Sequence, residues 1–474
     1  MRMGIVRGIS YGLFGEPDEF VPQARALGAG LVRAYVYWSQ VEPRPGELDF
    51  RVVDALLDQL DGAELWLTVC SSSSWATQVP SDFLPPSPAK DRARYRAFVR
   101  ALVEHCAGRV SFWQCDNEPS NAGLLWAGTA QEYVGQLAEF HAAVREKDPT
   151  AKVVLGGCGY DVLSSEPGSE PRLFFQHLLA EGRELFDVFD VHLYGDPAAI
   201  PSYVDDVRKM MRDNGYEKEV VAGEYGGPVL FEFPELGPIL EQTMTAAFAE
   251  QAGERAGQAG QTTHSVGELV GRAGQDTPER RAMTGLYARA AELPDRLRMF
   301  LEGCPPELDA KRDRINCRQV VTRNLLALAA GIRLTNYWNL APEVPVMPEP
   351  YQLMHLLFGK LVLLRYDEDG RLTRRNPAAD TFALLAEHLR GTTAVTRRGD
   401  GYVFDVERAG RPQLLVAWDH RDAFDGEDQP PVEVRLPWPG EKAAAVDAFG
   451  TPLPVAVGGG ELRVALTDTP VLVT

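Results

Sequence analysis

Two glutamates end apolar runs: Glu118 in Phe112-Trp-Gln-Cys-Asp-Asn-Glu-Pro119, and Glu224 in Val220-Val-Ala-Gly-Glu-Tyr-Gly-Gly-Pro228. The runs have strand character and the Pro or Gly that follows at once is a turn former, so each carboxylate is expected at a strand end. Cleavage of a glycosidic bond needs two carboxyls in one pocket: one protonates the leaving oxygen, the other attacks or activates water. The chain has no HExxH, no EF-hand loop and no clustered ligand set, so neither a metal nor another cofactor is expected.

The elements that would position this pair follow from patterning. Hydrophobic residues make up 45% and charged residues 24% of the 474, values of a globular chain that can bury a large core. The net charge of -19 excludes a nucleic-acid partner, whose phosphates would be repelled. No apolar run approaches the length that spans a bilayer, so no membrane partner is expected. The N-terminus lacks the apolar core of a secretory signal and reads as cytoplasmic, as would the mature form of a secreted protein. Six cysteines show no metal-ligand spacing; Cys70, Cys115 and Cys158 read as small buried hydrophobes, and only Cys304 and Cys317 have the setting of a pair.

Short apolar runs alternate with amphipathic stretches, the pattern of βα units around a parallel sheet. Strands are expected at 4–10, 31–38, 63–70, 109–117, 152–157, 186–194, 219–224 and 331–338. Helices are expected at 17–28, 50–60, 90–106, 130–146, 171–182, 201–214, 316–330 and 376–390. Eight such units make an α/β (β/α)8 TIM barrel over residues 1–390. An open doubly wound sheet is the alternative, but it has fewer strands and a glycine-rich first turn. The glycines of Gly156-Gly-Cys-Gly159 are expected in a loop with no helix directly after them.

The seventh unit carries an excursion over 229–315, helical in composition at Leu236 to Arg255 and Pro278 to Leu301, with a polar, glycine-dotted stretch at Gly253 to Gly274. An insertion there hangs over the active face as a lid or subsite wall, or serves as an interface. Over 391–474 short alternating runs predict a small antiparallel β-sandwich domain.

On that count Glu118 ends strand four and Glu224 strand seven, both on the C-terminal rim where barrels place their chemistry. The chain then resembles the retaining glycoside hydrolases of the large (β/α)8 clan. The resemblance rests on Asn117-Glu118-Pro119, Gly223-Glu224-Tyr225-Gly226, Asp190-Val-His192-Leu-Tyr194, Arg33 in Leu31 to Trp38, Trp338, and the turn Val41 to Phe50, and it spans the chain apart from the insertion. The Gly-Glu-Tyr-Gly segment is similar to the endoglucanase-like families; His-x-Tyr with a trailing β domain is similar to the β-xylosidase-like ones.

The resemblance implies a retaining glycosidase acting on a β-linked carbohydrate substrate, with Glu118 as acid/base and Glu224 as nucleophile. It implies that Arg33 holds Glu224 ionised, Asn117 binds the 2-hydroxyl, Tyr194 donates to Glu224 or the sugar, His192 lines the same wall, and Trp338 floors the pocket. Asn336 and Trp75 are further candidates of that type. His192 and Tyr194 also share the inner face by their period-two spacing. Asp116 departs from the pattern and would bring a third carboxyl close to Glu118. Transglycosylation by the same residues and a non-catalytic carbohydrate-binding barrel are the alternatives. The sugar, endo or exo action and the oligomeric state stay open at this level.

Overall fold

The computed structural model describes residues 1–13, 15–237, 278–343, 353–367 and 371–474. The expected helix at Leu236 to Arg255, beyond residue 237, and the stretch Gly253 to Gly274 lie outside the described residues. Eight parallel strands close a barrel in sequence order: β1 (Arg2–Val6), β2 (Leu31–Tyr37), β3 (Glu64–Cys70), β4 (Phe112–Cys115), β5 (Lys152–Val154), β6 (Val188–Leu193), β7 (Glu219–Tyr225) and β8 (Leu334–Tyr337). β1 pairs with both β2 and β8, which excludes the open-sheet alternative.

Helices Val21–Ala26, Arg51–Leu57, Arg92–Cys106, Ala130–Lys147, Glu170–Glu181, Ile200–Asp213, Pro306–Ala329 and Pro377–His388 follow the strands in turn. The seventh starts at Pro306, well before the expected 316. Pro at its first turn and acidic Glu307 and Asp309 beside the N-terminal dipole favour that start. From Ile315 to Leu328 every residue is buried, so no amphipathic period marks the helix in sequence.

Inside the barrel, side chains follow the period of two. Leu31, Trp66, Phe112, Val154, Val188, Val221 and Leu334 form one apolar plug near the strands' N-terminal ends. Two residues further along the same strands the inward side chains turn polar: Arg33, Thr68, Gln114, Asp190 and Asn336, all fully buried. β1 makes room for this layer with Gly4, paired to Asn336. A methyl group on Gly4 would lie 2.0 Å from Asn336 Oδ1 and 2.8 Å from the Leu31 carbonyl oxygen. Gly4→Ala is therefore expected to destabilise the barrel by about 1–3 kcal/mol, the usual cost of overpacking. A thermal melt showing an unchanged Tm would contradict this close packing.

The C-terminal region builds a six-stranded antiparallel sheet and a three-stranded one. In the larger sheet the strand Leu414–Ala417 points Leu415 and Ala417 toward the smaller sheet, meeting Leu462, Val464 and Leu466 of the strand Glu461–Leu466. Leu414 and Val416 join the barrel's own core from the opposite face. A strand buried on both faces accounts for the unbroken apolar run at 414–418.

This region also grips the seventh unit. Glu427 pairs with Arg314 and Arg318 of helix Pro306–Ala329, and Asp468 lies 3.2 Å from Arg318. Phe424 packs edge-on to Phe233 at 5.5 Å, and Phe233 in turn meets Phe300 at 5.7 Å, within an apolar cluster that includes Met283, Leu286 and Leu297. The described part of the excursion holds helices Pro278–Ala288 and Asp295–Arg298, in line with the helical composition at Pro278 to Leu301. All six cysteines are free, so Cys304 and Cys317 do not pair. Among the described residues no helix is long and apolar enough to cross a membrane.

Candidate active site

Glu224 is aimed by an irregularity in β7. Val191 pairs with Ala222 but His192 with Glu224, so β7 carries one extra residue, and its pairing with β8 slips over the same segment. The extra residue is Gly223. Its N–H donates to Asp190 Oδ1 at 2.6 Å, and a methyl group there would lie 2.3 Å from that oxygen. The bulge re-aims the next side chain into the barrel. Glu224 Oε1 accepts from Arg33 Nη1 at 2.9 Å and Tyr35 Oη at 2.8 Å, and Oε2 accepts from Tyr194 Oη at 3.0 Å.

Glu118 is aimed differently. β4 ends at Cys115, not at the expected 117, because Asp116 takes φ +55° and leaves the ladder. Glu118 follows at φ +41°, a left-handed conformation unusual for a residue with a side chain. This path sends Asp116 to Ser71, whose N–H donates to it at 2.7 Å, and to Gln136 Nε2 at 3.3 Å. Burial pushes the Asp116 carboxyl up to about 6. Asn117 turns inward, where its Oδ1 accepts from Arg33 Nη2 at 2.7 Å. Glu118 Oε1 meets His192 Nδ1 at 2.5 Å.

Arg33 is the hub. Besides Glu224 and Asn117 it donates to Thr68 Oγ1, the Gly223 carbonyl and Gln114 Oε1, so each guanidinium nitrogen is engaged. Gln114 passes the network on through Nε2 to Asp190 Oδ2 at 2.8 Å, and Asp190 faces His192 Nε2 at 3.2 Å. Burial alone would lower the His192 pKa, but Glu224, Asp190 and Glu118 outweigh it and raise it to about 10. His192 is therefore an imidazolium that donates through both nitrogens. Burial pushes Glu224 up, against the downward pull of His192 and Arg33.

One oxygen each of Glu118 and Glu224 and a ring nitrogen of His192 lie within 4.8 Å of one another, close enough to gather round a cation. The donor set favours protons instead. Glu224 is loaded with N–H and O–H donors, which occupy lone pairs that a metal would take.

The structure brings Glu118, Glu224, Arg33, Asn117, His192 and Tyr194 into one network. Trp338 reaches its edge, with its ring 6.5 Å from Tyr35 and 5.5 Å from Phe358, and its N–H has no partner among the described residues. Asn336 lies one inward position below Trp338, and its carboxamide has no hydrogen-bond partner among the described residues. Trp75 goes elsewhere: its ring packs edge-on to Trp38 beneath Arg94, and its N–H donates to the Glu42 carbonyl.

Tyr35, Gln114 and Asp190 are site residues beyond those the sequence motifs mark, although the period-two argument that pairs His192 with Tyr194 also pairs Tyr35 with Arg33 and Asp190 with His192. Phe231, 5.3 Å from Tyr194, and Phe358 carry no such signal. Contrary to expectation, a one-turn helix, Tyr160–Leu163, opens directly after Gly159. The glycines before it admit neighbours: a methyl group on Gly157 would lie 2.3 Å from His192 Nε2. The third carboxyl beside Glu118 is Asp161 of this helix, Asp116 being committed to Ser71 and Gln136. The chain also carries, at Gly8-Ile-Ser-Tyr-Gly12, the Gly-x-Ser-x-Gly form of a nucleophile elbow. Ser10 Oγ there donates to Glu343 Oε2 at 2.5 Å, and the same carboxylate accepts the N–H groups of Ile9 and Ser10, which makes this a loop clasp.

No family profile matches the sequence, and no curated protein does. Solved structures do match in fold. A family 39 glycoside hydrolase from the gut symbiont Bacteroides cellulosilyticus WH2 aligns at a TM-score of 0.62 and 15% identity, over 100% of this chain and 80% of its own. A monomeric β-xylosidase from Caulobacter crescentus CB15 aligns at 0.58 and 14%, over 100% and 95%. A glucosidase from Croceicoccus marinus aligns at 0.55 and 13%, over 99% and 94%. At these identities the likeness is one of fold: a (β/α)8 barrel with a trailing β domain.

Proposed function

We propose that this chain is a retaining glycoside hydrolase that cleaves a β-linked glycoside or oligosaccharide by double displacement. The observation that carries the reading is the closeness of two differently supported carboxyls on one barrel rim, with nearest oxygens within 4.8 Å. Retaining enzymes hold their carboxyls about 5–5.5 Å apart, whereas inverting ones leave about 6.5–9.5 Å for a water. The structural neighbours named as a glycoside hydrolase, a β-xylosidase and a glucosidase add weight through the shared fold.

In the first step Glu118, protonated, gives its proton to the glycosidic oxygen while Glu224 attacks the anomeric carbon and the aglycone leaves. We assign the attack to Oε2 of Glu224, which accepts one hydrogen bond where Oε1 accepts two and stands 3.4 Å from His192 Nδ1. In the second step Glu118, now ionised, takes a proton from water, which displaces Glu224 from the sugar. Asn117 has its oxygen fixed by Arg33, which leaves its N–H2 free to donate to the 2-hydroxyl as positive charge develops. Trp338 offers a ring face to the apolar side of the sugar.

Trapping with a 2-deoxy-2-fluoro aryl β-glycoside tests the mechanism. Peptide mass spectrometry is expected to find the fluoroglycosyl group on Glu224, and NMR of fresh product the retained β-anomer. Label on another residue, or an inverted anomer, would overturn it.

A further inference from the structure

We propose that Asp161, facing Glu118 across Gly159, shares a proton with it and so holds beside Glu118 the proton that the first step consumes. The inference rests on the reading of Glu118 as the acid/base, and it makes Asp161 a positioning residue for that proton. A methyl group on Gly159 would lie 2.5 Å from Asp161 Oδ1 and 3.0 Å from Glu118 Oε1. The missing side chain is what allows the two carboxyls to face one another. Ser120 Oγ donates to Asp161 Oδ2 at 2.8 Å, and Ser120 stands two residues after Glu118, so the two turns are tied together.

Asp161 Oδ1 is closed to solvent and has no hydrogen-bond partner among the described residues. A carboxylate oxygen left so is costly unless a proton comes to it, and the neighbouring carboxyl is where a shared proton can sit. The surrounding charges favour this. Glu118 faces His192 from β6, Glu224 from β7, Arg33 from β2, and Cys158 and Asp161 from the loop after β5. With Asp190 below, four carboxyls gather round two cations, Arg33 and His192, so full ionisation leaves an excess of negative charge in a buried site. Burial, with the charge of Glu118 second, pushes Asp161 up to about 6.

The stability consequence has the opposite sign from that of an ordinary ion pair. A carboxyl whose folded pKa lies above its unfolded value of about 3.9 costs stability as pH rises from there through about 6, and the full cost persists at pH 7. Asp161→Asn keeps the size and can still accept from Ser120, so its Tm at pH 7 is expected to equal or exceed that of the parent. Asp161→Ala removes the carboxyl without adding a donor.

The test follows the Asp161 carboxyl by 13C NMR in the full-length chain labelled at aspartate Cγ, its resonance identified by loss in Asp161→Asn. Glu118→Gln removes the neighbouring charge and is expected to lower the Asp161 midpoint from about 6 by about one pH unit. In parallel, the alkaline limb of kcat/KM on an oligosaccharide is expected to shift down in both Asp161 variants, while an activated aryl glycoside shows no shift. An unmoved Asp161 midpoint in Glu118→Gln overturns the pairing. A moved midpoint in a chain that hydrolyses no glycoside leaves the pairing standing and overturns the functional reading instead.

Discussion

Glu224→Gln is expected to lower kcat/KM by about 10⁵-fold, a loss of roughly 7 kcal/mol of transition-state stabilisation. The substitution changes little else. Arg33 and Tyr35 still find a carbonyl oxygen where Oε1 was, and Tyr194 Oη, no longer needed as a donor, can accept from the new N–H2. What disappears is the charge that attacks the anomeric carbon. That charge is also the strongest of the three carboxylate influences that raise His192, so the imidazolium is held less firmly in the variant. The check is kcat/KM on an aryl β-glycoside with a thermal melt alongside. A folded variant within tenfold of the parent would remove Glu224 as nucleophile, and an unfolded one would move the test to Glu224→Ala with azide, where an α-glycosyl azide is expected.

The parts of this site legible in sequence are those in which a local signal and a barrel position coincide. Glu118 and Glu224 each follow an apolar run and precede a turn former, and Arg33, His192 and Tyr194 fall on inward positions of their strands. Helix boundaries are legible wherever one face is apolar, as in Arg92–Cys106, where Tyr95, Phe98, Leu102 and Cys106 are buried. The rest depends on where the backbone departs from regular geometry. The apolar run at 109–117 hides the point at which Asp116 leaves β4, and with it the reason Asp116 serves Ser71 while Glu118 turns inward. The bulge at Gly223 leaves no mark on the alternation of β7. Trp75 follows a strand end as Trp338 does, yet its ring is taken by Trp38 and Arg94. Asp161 is near Glu118 because two loops meet over Gly159, a contact between residues that no spacing rule connects.

Glu118→Ala should separate the two steps of the reaction. On an oligosaccharide, whose leaving group is a poor alkoxide, loss of the proton donor is expected to cost about 10²–10⁴-fold in kcat/KM. On a dinitrophenyl glycoside the leaving group departs without help, so Glu224 still attacks at nearly the parent rate. The variant then lacks the base for the second step, and the glycosyl-enzyme accumulates, visible as a burst of phenolate followed by slow turnover. Azide fits the space the carboxyl vacates and needs no deprotonation. It should restore turnover and yield a β-glycosyl azide, the anomer opposite to that expected from Glu224→Ala. The His192 side chain sets one further expectation. Glu118 is one of three carboxylates that raise its pKa, and in the glycosyl-enzyme of the variant Glu118 is gone and Glu224 is esterified, so Asp190 alone is left and the His192 proton is held less firmly than in the free enzyme. Equal losses on both substrates, with no burst and no azide product, would take the acid/base role away from Glu118.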